Sequence, residues 1–407
     1  MDEKILRYKI QCTEFLDSYD PSDLLNFMEE NSIAMEDMSL AISRFALNSD
    51  RVFDRIEGKE IDNLFIVPSN EVIEKSREPA EVCFIVCSDD ALEYSRIMEW
   101  VNNLYVPQNI TLNSMQVTGV SKLPSGYNEA MEASDTKYKI YVRDGVRILN
   151  PYFLYNIIDI FETKTDVAMI GFLGSKYIPS GGIMEDVDCY GSLAVAGENE
   201  TFVCGENPIS DVYASFVHSC VVATCNDIKW NADTEYSDEF TCSVHAIEYK
   251  KKGLKTLIPP QEYPWVLYDY GKDVFSHDSA AGLSLIKNIF FEPDKKHVLL
   301  CLGANSLVEM PNNGLDKLAS NLEIFDNSID KIQLFITFFP EDIKQWIHVN
   351  SDAFSKIDDI LFKRNVITGP MDKDFLDMID AYYGDSSPLV LKLVDMKKPV
   401  MIRSAEI

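Results

Sequence analysis

The chain has 407 residues, of which 46% are hydrophobic, and a formal net charge of −29. That length suits two or three domains of roughly 100–200 residues, and the acidic balance excludes an extended nucleic-acid or anionic-membrane surface. No apolar run approaches the ~20 residues of a membrane span, and Met1-Asp2-Glu3-Lys4 lacks a signal-peptide pattern. The nine cysteines are scattered, with no CxxC pair, so they read as reduced thiols rather than a zinc site or disulfide framework, and a cytoplasmic protein is expected.

From Met1 to about Ile56, apolar residues recur at helical spacing, as in Leu24, Leu25, Phe27 and Met28 and then Met38, Ala41, Ile42, Phe45 and Ala46. Asp20-Pro21-Ser22 supplies a break and a helix start. A helical N-terminal region is predicted over 1–75. From Glu81 short β-rich runs alternate with helical ones, the pattern of an α/β domain, predicted over 76–292. Its strands are Val82–Val86, Lys139–Val142 and Val167–Phe172, with helices over Ala91–Leu104 and Pro151–Phe161, and the alternation predicts a doubly wound parallel sheet. Pro179-Ser180-Gly181-Gly182-Ile183 reads as a mobile loop near the substrates. A third segment, 293–407, repeats the alternation with strands His297–Leu302, Ile332–Ile336 and Pro399–Ile402 and a helix over Leu315–Phe325, which predicts a second, smaller Rossmann-like domain.

Ser125-Gly126-Tyr127-Asn128-Glu129-Ala130-Met131 is a helical stretch that leads into the strand Lys137-Tyr138-Lys139-Ile140-Tyr141-Val142-Arg143-Asp144. That strand delivers the Asp144 carboxylate to its carboxyl end, where open α/β sheets collect ligands, so Asp144 is a candidate for gripping a metal or a sugar.

The segment from Glu81 to Gly271 resembles the family 2-related GT-A glycosyltransferases of the streptomycin-biosynthesis type. The resemblance rests on Cys87-Ser88 after the first strand, Gly126 to Met131, Asp135 to Lys139, Asp144, Met169-Ile170-Gly171, Pro179-Ser180-Gly181, Glu248-Tyr249 with Gly253, and Pro264-Trp265 with Asp269. It implies a GT-A, Rossmann-like fold and hexosyl transfer from a nucleotide-sugar donor to a glycan or protein acceptor in bacterial surface-polysaccharide or glycoconjugate assembly. Mg²⁺ or Mn²⁺ would offset the charge of the leaving diphosphate. By the same resemblance Asp144 is the metal ligand, Cys87, Ser88 and Asp89 lie near the base and ribose, and Tyr127 and Asn128 face the donor. Association as a homo-oligomer or with a partner glycosyltransferase subunit is also expected.

Two departures from that family bear on catalysis. Members commonly carry His-Gln-Asp where this chain has Val142-Arg143-Asp144. An aspartate-rich stretch that supplies the acceptor base aligns with Glu235 to Cys242, which sets Tyr236 and Cys242 at the aspartate positions and leaves Asp238 and Glu239 as the catalytic candidates. A family histidine is replaced by Tyr268, beside a retained Asp269. The rival expectation is a catalytically degenerate binding or scaffolding subunit.

The last segment is similar to a degenerate glycerophosphotransferase module at Asp380 to Ser387 and Lys398 to Ile402, where Gly384-Asp385-Ser386-Ser387 is a turn suited to phosphate. An Arg-Pro-His-Pro motif of such modules is replaced by Thr337-Phe338-Phe339-Pro340. Glycerophosphate-type transfer is therefore a third, weaker expectation beside a docking role. No two of the five histidines share a metal-ligand spacing.

Overall fold

The computed structural model describes residues 76–197, 201–261, 264–271, 279–303, 315–338, 360–362 and 364–402. The helical reading of 1–75 lies outside them. No helix among the described residues is long and apolar enough to cross a membrane.

The chain enters a sheet at β1 (Ala80–Cys87), crosses through α1 (Ala91–Asn102) to β2 (Ile110–Val117), and returns through α2 (Leu123–Glu132) to β3 (Tyr138–Arg143). After α3 (Phe153–Thr163) come β4 (Val167–Ile170), β5 (Val212–Ala214), β6 (Val221–Thr224), α4 (Thr241–Lys251) and β7 (Lys255–Ile258). The seven strands lie in the order β5-β7-β4-β6-β3-β1-β2. β1 runs parallel to β2 and β3, and β7 parallel to β4, but β6 is antiparallel to both β3 and β4. The sheet is therefore mixed rather than all-parallel. Hydrophobicity marked the strands but not their direction, because Val221-Val222-Ala223-Thr224 is buried on both faces whichever way it runs.

Alternation along β1 divides the core. Val82, Phe84 and Val86 pack with Ile97 and Val101 of α1 and with Phe153, Leu154, Ile157 and Ile158 of α3. Cys83 and Ile85 face the other way, onto Tyr127 of α2 and onto Cys242, Ala246 and Tyr249 of α4. Successive side chains of a strand point to opposite faces, so one five-residue apolar run seats helices on both sides. A four-stranded sheet of Thr201–Cys204, Leu193–Gly197, Val266–Gly271 and Val146–Ile148 carries the late residues, Tyr268 among them, back toward β3.

The carboxyl-terminal part forms a separate sheet from β8 (Lys296–Leu302), β9 (Ile332–Phe338), β10 (Asn365–Thr368), β11 (Ala381–Gly384) and β12 (Val400–Ile402), in the order β12-β11-β8-β9-β10. All its described pairings are parallel. Its sixth strand comes from the first domain, since Ile178–Pro179 pairs in parallel with Ile367 and Thr368 of β10.

That strand corrects the expectation of a mobile loop at Pro179–Ile183. Ser180 is 0% exposed, and its N–H donates to the Thr368 carbonyl at 2.8 Å and its hydroxyl to that of Pro370 at 2.6 Å. Gly182, at φ +70°, lies so close to Gly282 that a Cβ would meet its backbone at 2.6 Å. The glycines serve a close backbone approach between the loop and α5 (Ser279–Phe290), not mobility. Ile247 of α4 and Ile286 of α5 complete the seam in one core cluster with Leu299, Phe335 and Ile367.

Candidate active site

From β1 the chain moves to β2 on one side and then to β3 on the other, so the order reverses between β1 and β3. Open α/β sheets form their ligand crevice outside the carboxyl ends of the strands at such a switch point. Cys87 and Arg143, the last residues of β1 and β3, are register partners across it. The crevice is a cleft of about 730 Å³ lined by Cys87 to Asp90, Glu93 and Arg96 of α1, Arg143 to Gly145, Arg147, Asp238 and Tyr268, with Val117, Val120 and Leu123 as its apolar wall.

The wall nearest α1 is held by a network. Asp90 caps α1, accepting from the N–H groups of Leu92 at 2.8 Å and Glu93 at 3.3 Å. Glu93 Oε1 accepts from Gly145 N–H at 2.9 Å and from Arg147 at 2.6 Å, while Oε2 takes a second Arg147 bond at 3.1 Å. This bidentate pair fixes the turn that carries Asp144, and Gly145, at φ +81°, supplies the conformation the turn needs. Asp89 Oδ1 accepts from Gly119 N–H at 2.6 Å, and Gln116 donates to the Ser88 carbonyl at 3.0 Å.

Asp144 itself is exposed in the cleft. Partial burial and then the neighbouring carboxylates of Glu93 and Asp90 hold its carboxyl above the usual range, against a hydrogen bond from Ser88 and the charge of Arg143. Among the described residues no three His, Cys, Asp or Glu side chains are grouped to hold a metal by themselves. One exposed carboxylate in a negative field suits Mg²⁺ or Mn²⁺, which keep most of their shell as water and substrate phosphate oxygens and need only one or two protein ligands. Burial first, and then the charges of Asp144 and Asp238, push the Cys87 thiol up to about 12. It stays protonated and is no nucleophile.

A model for a family described as "glycosyltransferase like family" matches residues 83–288, half of the chain and every element that builds the cleft. The chain belongs to this glycosyltransferase-like family. Solved structures similar to it include the mannosyltransferase PcManGT from Pyrobaculum calidifontis in complex with GDP-Man and Mn²⁺. That match has 8% identity over 62% of this chain and 72% of the other, with a TM-score of 0.34. S. aureus TarS matches at 10% identity over 52% of this chain and 40% of its own, with a TM-score of 0.33. No protein of curated function matches.

In this glycosyltransferase-like domain Cys87, Ser88, Asp89 and Asp144 line one cleft together with Asp238. Asp238 Oδ1 accepts from Leu123 N–H at 3.1 Å, a cap brought from elsewhere in the chain to the start of α2. Glu239 is not among the residues that line the cleft. Tyr236 donates its hydroxyl to the Asn231 carbonyl, and Cys242 is buried in the second core cluster, so neither aligned position offers a base.

Tyr127 and Asn128, expected to face the donor, are buried in the core and are not among the residues that line the cleft. Tyr127 is 0% exposed among the rings of Tyr141 and Trp230, with centroids 4.8 Å away in both cases. Asn128 is 7% exposed and pairs with the Trp230 backbone, donating to its carbonyl at 2.9 Å and accepting from its N–H at 2.8 Å. An amide that makes paired bonds has the same sequence signature whether its partner is a ligand or a buried loop.

Sequence reasoning missed Glu93, Arg96 and Arg147. Glu93 and Arg147 are 54 positions apart, and only the packing of α1 against the Val146–Ile148 strand brings them together. Of the histidines, His218 stands edge-on to the Tyr268 ring at 5.5 Å, and His245 stacks on Trp230 at 3.6 Å in the core.

Proposed function

We propose that this protein is a nucleotide-sugar glycosyltransferase whose donor binds at the β1/β3 cleft and whose acceptor is a glycan or protein hydroxyl, in bacterial surface-polysaccharide or glycoconjugate assembly. The observation that carries this reading is the convergence of Ser88, Asp144 and Asp238 on one cleft at the topological switch point of a glycosyltransferase-like domain. Cys87 to Asp89 would seat the base and ribose, and Asp144 would hold Mg²⁺ or Mn²⁺ against the diphosphate. When bound, the ion offsets the charge that develops on the leaving diphosphate.

Asp238 is the base in this scheme. One of its oxygens is committed to Leu123, and the other makes no protein hydrogen bond among the described residues, so it is available to take the acceptor proton. As the acceptor oxygen bonds to the sugar C1, the bond from C1 to the diphosphate oxygen breaks. The electron pair leaves with the nucleoside diphosphate and the proton passes to Asp238. Positioned general bases of this kind contribute roughly 10²–10⁴-fold.

The cap that Asp238 provides also favours a second reading, in which the site binds a donor without turnover. Nucleoside diphosphate release from a panel of uridine-, guanosine-, cytidine- and thymidine-diphosphate sugars, with Mn²⁺, separates the two. Release that is enhanced by acceptor sugars supports transfer; donor binding without release supports the binding-only reading, and neither binding nor release removes both.

A further inference from the structure

Three guanidinium groups line the cleft, and they are not equivalent. Arg147 is locked against both oxygens of Glu93 and against the Val146 carbonyl at 2.9 Å. Arg96 stands on the outer helix with one nitrogen 4.0 Å from Glu93 and its side chain 44% exposed. Arg143 is half-buried at the end of β3, and its side chain forms no ion pair or hydrogen bond among the described residues.

An unpaired, partly buried charge is costly, and proteins normally pair it. Burial works against the charge, the Asp238 and Asp144 carboxylates favour it, and the residue is fixed by its backbone N–H, which donates to the Cys220 carbonyl at 3.0 Å. Alternation along β3 puts it on the face of Tyr141, which packs in the aromatic cluster with Tyr127, and at the strand's end it lines the cleft. The other charges there are mostly negative, from Asp89, Asp90, Glu93, Asp144 and Asp238, and only Glu93 is neutralised by a bidentate partner. A diphosphate entering this field needs a cation that is not already in use. A planar guanidinium presents paired N–H donors that match two phosphate oxygens, whereas a glutamine of similar reach offers one neutral amide.

We infer that Arg143 is a diphosphate-binding residue, a fixed cation that grips the donor's phosphates and steadies the leaving group in addition to whatever Asp144 holds. This rests on the donor-cleft reading above. It predicts that nucleoside diphosphates are bound in part without divalent metal.

The test compares wild type with Arg143→Gln and Arg143→Lys, measuring affinities for UDP, GDP, CDP and ADP and for the matching monophosphates, in EDTA and in Mn²⁺. In EDTA, Arg143→Gln is expected to weaken diphosphate binding about tenfold or more, the scale of a lost charge-assisted contact, and to erase most of the preference for diphosphate over monophosphate. Arg143→Lys keeps the charge without the fork and is expected to fall between. Thermal melting of each variant checks that the fold is kept, and the lysine variant carries the test if the glutamine variant does not fold. If wild type binds a diphosphate but the substitutions leave its affinity and its preference over monophosphate unchanged, the role of Arg143 is overturned and the donor cleft stands. If wild type binds no nucleotide in EDTA or Mn²⁺, the donor reading fails and takes this inference with it.

Discussion

Replacing Asn128 with alanine separates a core residue from a donor contact. The side chain satisfies both backbone groups of Trp230, at 2.8 and 2.9 Å, and Trp230 is 1% exposed at the centre of the Tyr127, Tyr141 and His245 rings. Truncation leaves a buried N–H and a buried C=O without partners; at ~1–3 kcal/mol for each unsatisfied group, the loss is about 2–6 kcal/mol. A domain of 150–250 residues loses roughly 2–4 °C of Tm per kcal/mol, so Asn128→Ala should melt on the order of 10 °C lower. Thermal melting followed by tryptophan fluorescence reads this directly, and nucleotide affinity measured well below the transition should stay within about twofold of wild type, since no cleft group is touched. A nearly unchanged Tm with a tenfold loss of nucleotide affinity would refute the reasoning and return Asn128 to the donor site.

Three further outcomes follow from the geometry. Asp144→Asn should abolish the gain in nucleotide affinity that Mn²⁺ gives while leaving Tm in EDTA unchanged or slightly higher, because the native cleft disfavours this charge; a marked fall in Tm would show that Asp144 holds the fold instead. Asp238→Asn keeps an oxygen to cap Leu123 but removes the base, so turnover should fall by roughly 10²–10⁴-fold with Tm and donor affinity kept, whereas Glu239→Ala should cost little turnover; equal losses in the two would contradict the assignment. Burial lowers His245 to about 3 in the folded chain, against an ordinary value of 6.5. The unfolded state therefore binds the extra proton first, and stability drains away as pH falls from about 6.5 toward 3. His245→Phe keeps a ring against Trp230, removes a buried Nδ1 without a partner, and should flatten this acid limb in denaturation curves measured from pH 7 to pH 4.

The strands and the family were legible because β1 and β3 are apolar runs that end in polar residues at the cleft, and because the landmarks come in order along the chain. Asp144 could be read for the same reason: a carboxylate directly after a buried strand has few other places to be. The direction of β6 was not legible, since a strand buried on both faces has no polar side to set its sense. The glycines near 181 gave the wrong signal because a loop and a close backbone contact ask for the same residue. Tyr127 and Asn128 misled for a related reason, as an aromatic and an amide in a helix serve a core and a donor site equally well. Glu93 and Arg147 were out of reach, because neither matches a motif and only folding makes them partners.

The central claim is that the β1/β3 cleft is a nucleoside diphosphate site built around Asp144. Calorimetric titration of UDP, GDP, CDP and ADP, with and without Mn²⁺, into wild type and Asp144→Asn tests it most directly. The account predicts saturable heat for at least one nucleotide with wild type, tighter in Mn²⁺, and no Mn²⁺ increment with Asp144→Asn. No heat with any nucleotide, or an Mn²⁺ increment that survives in Asp144→Asn, would contradict it.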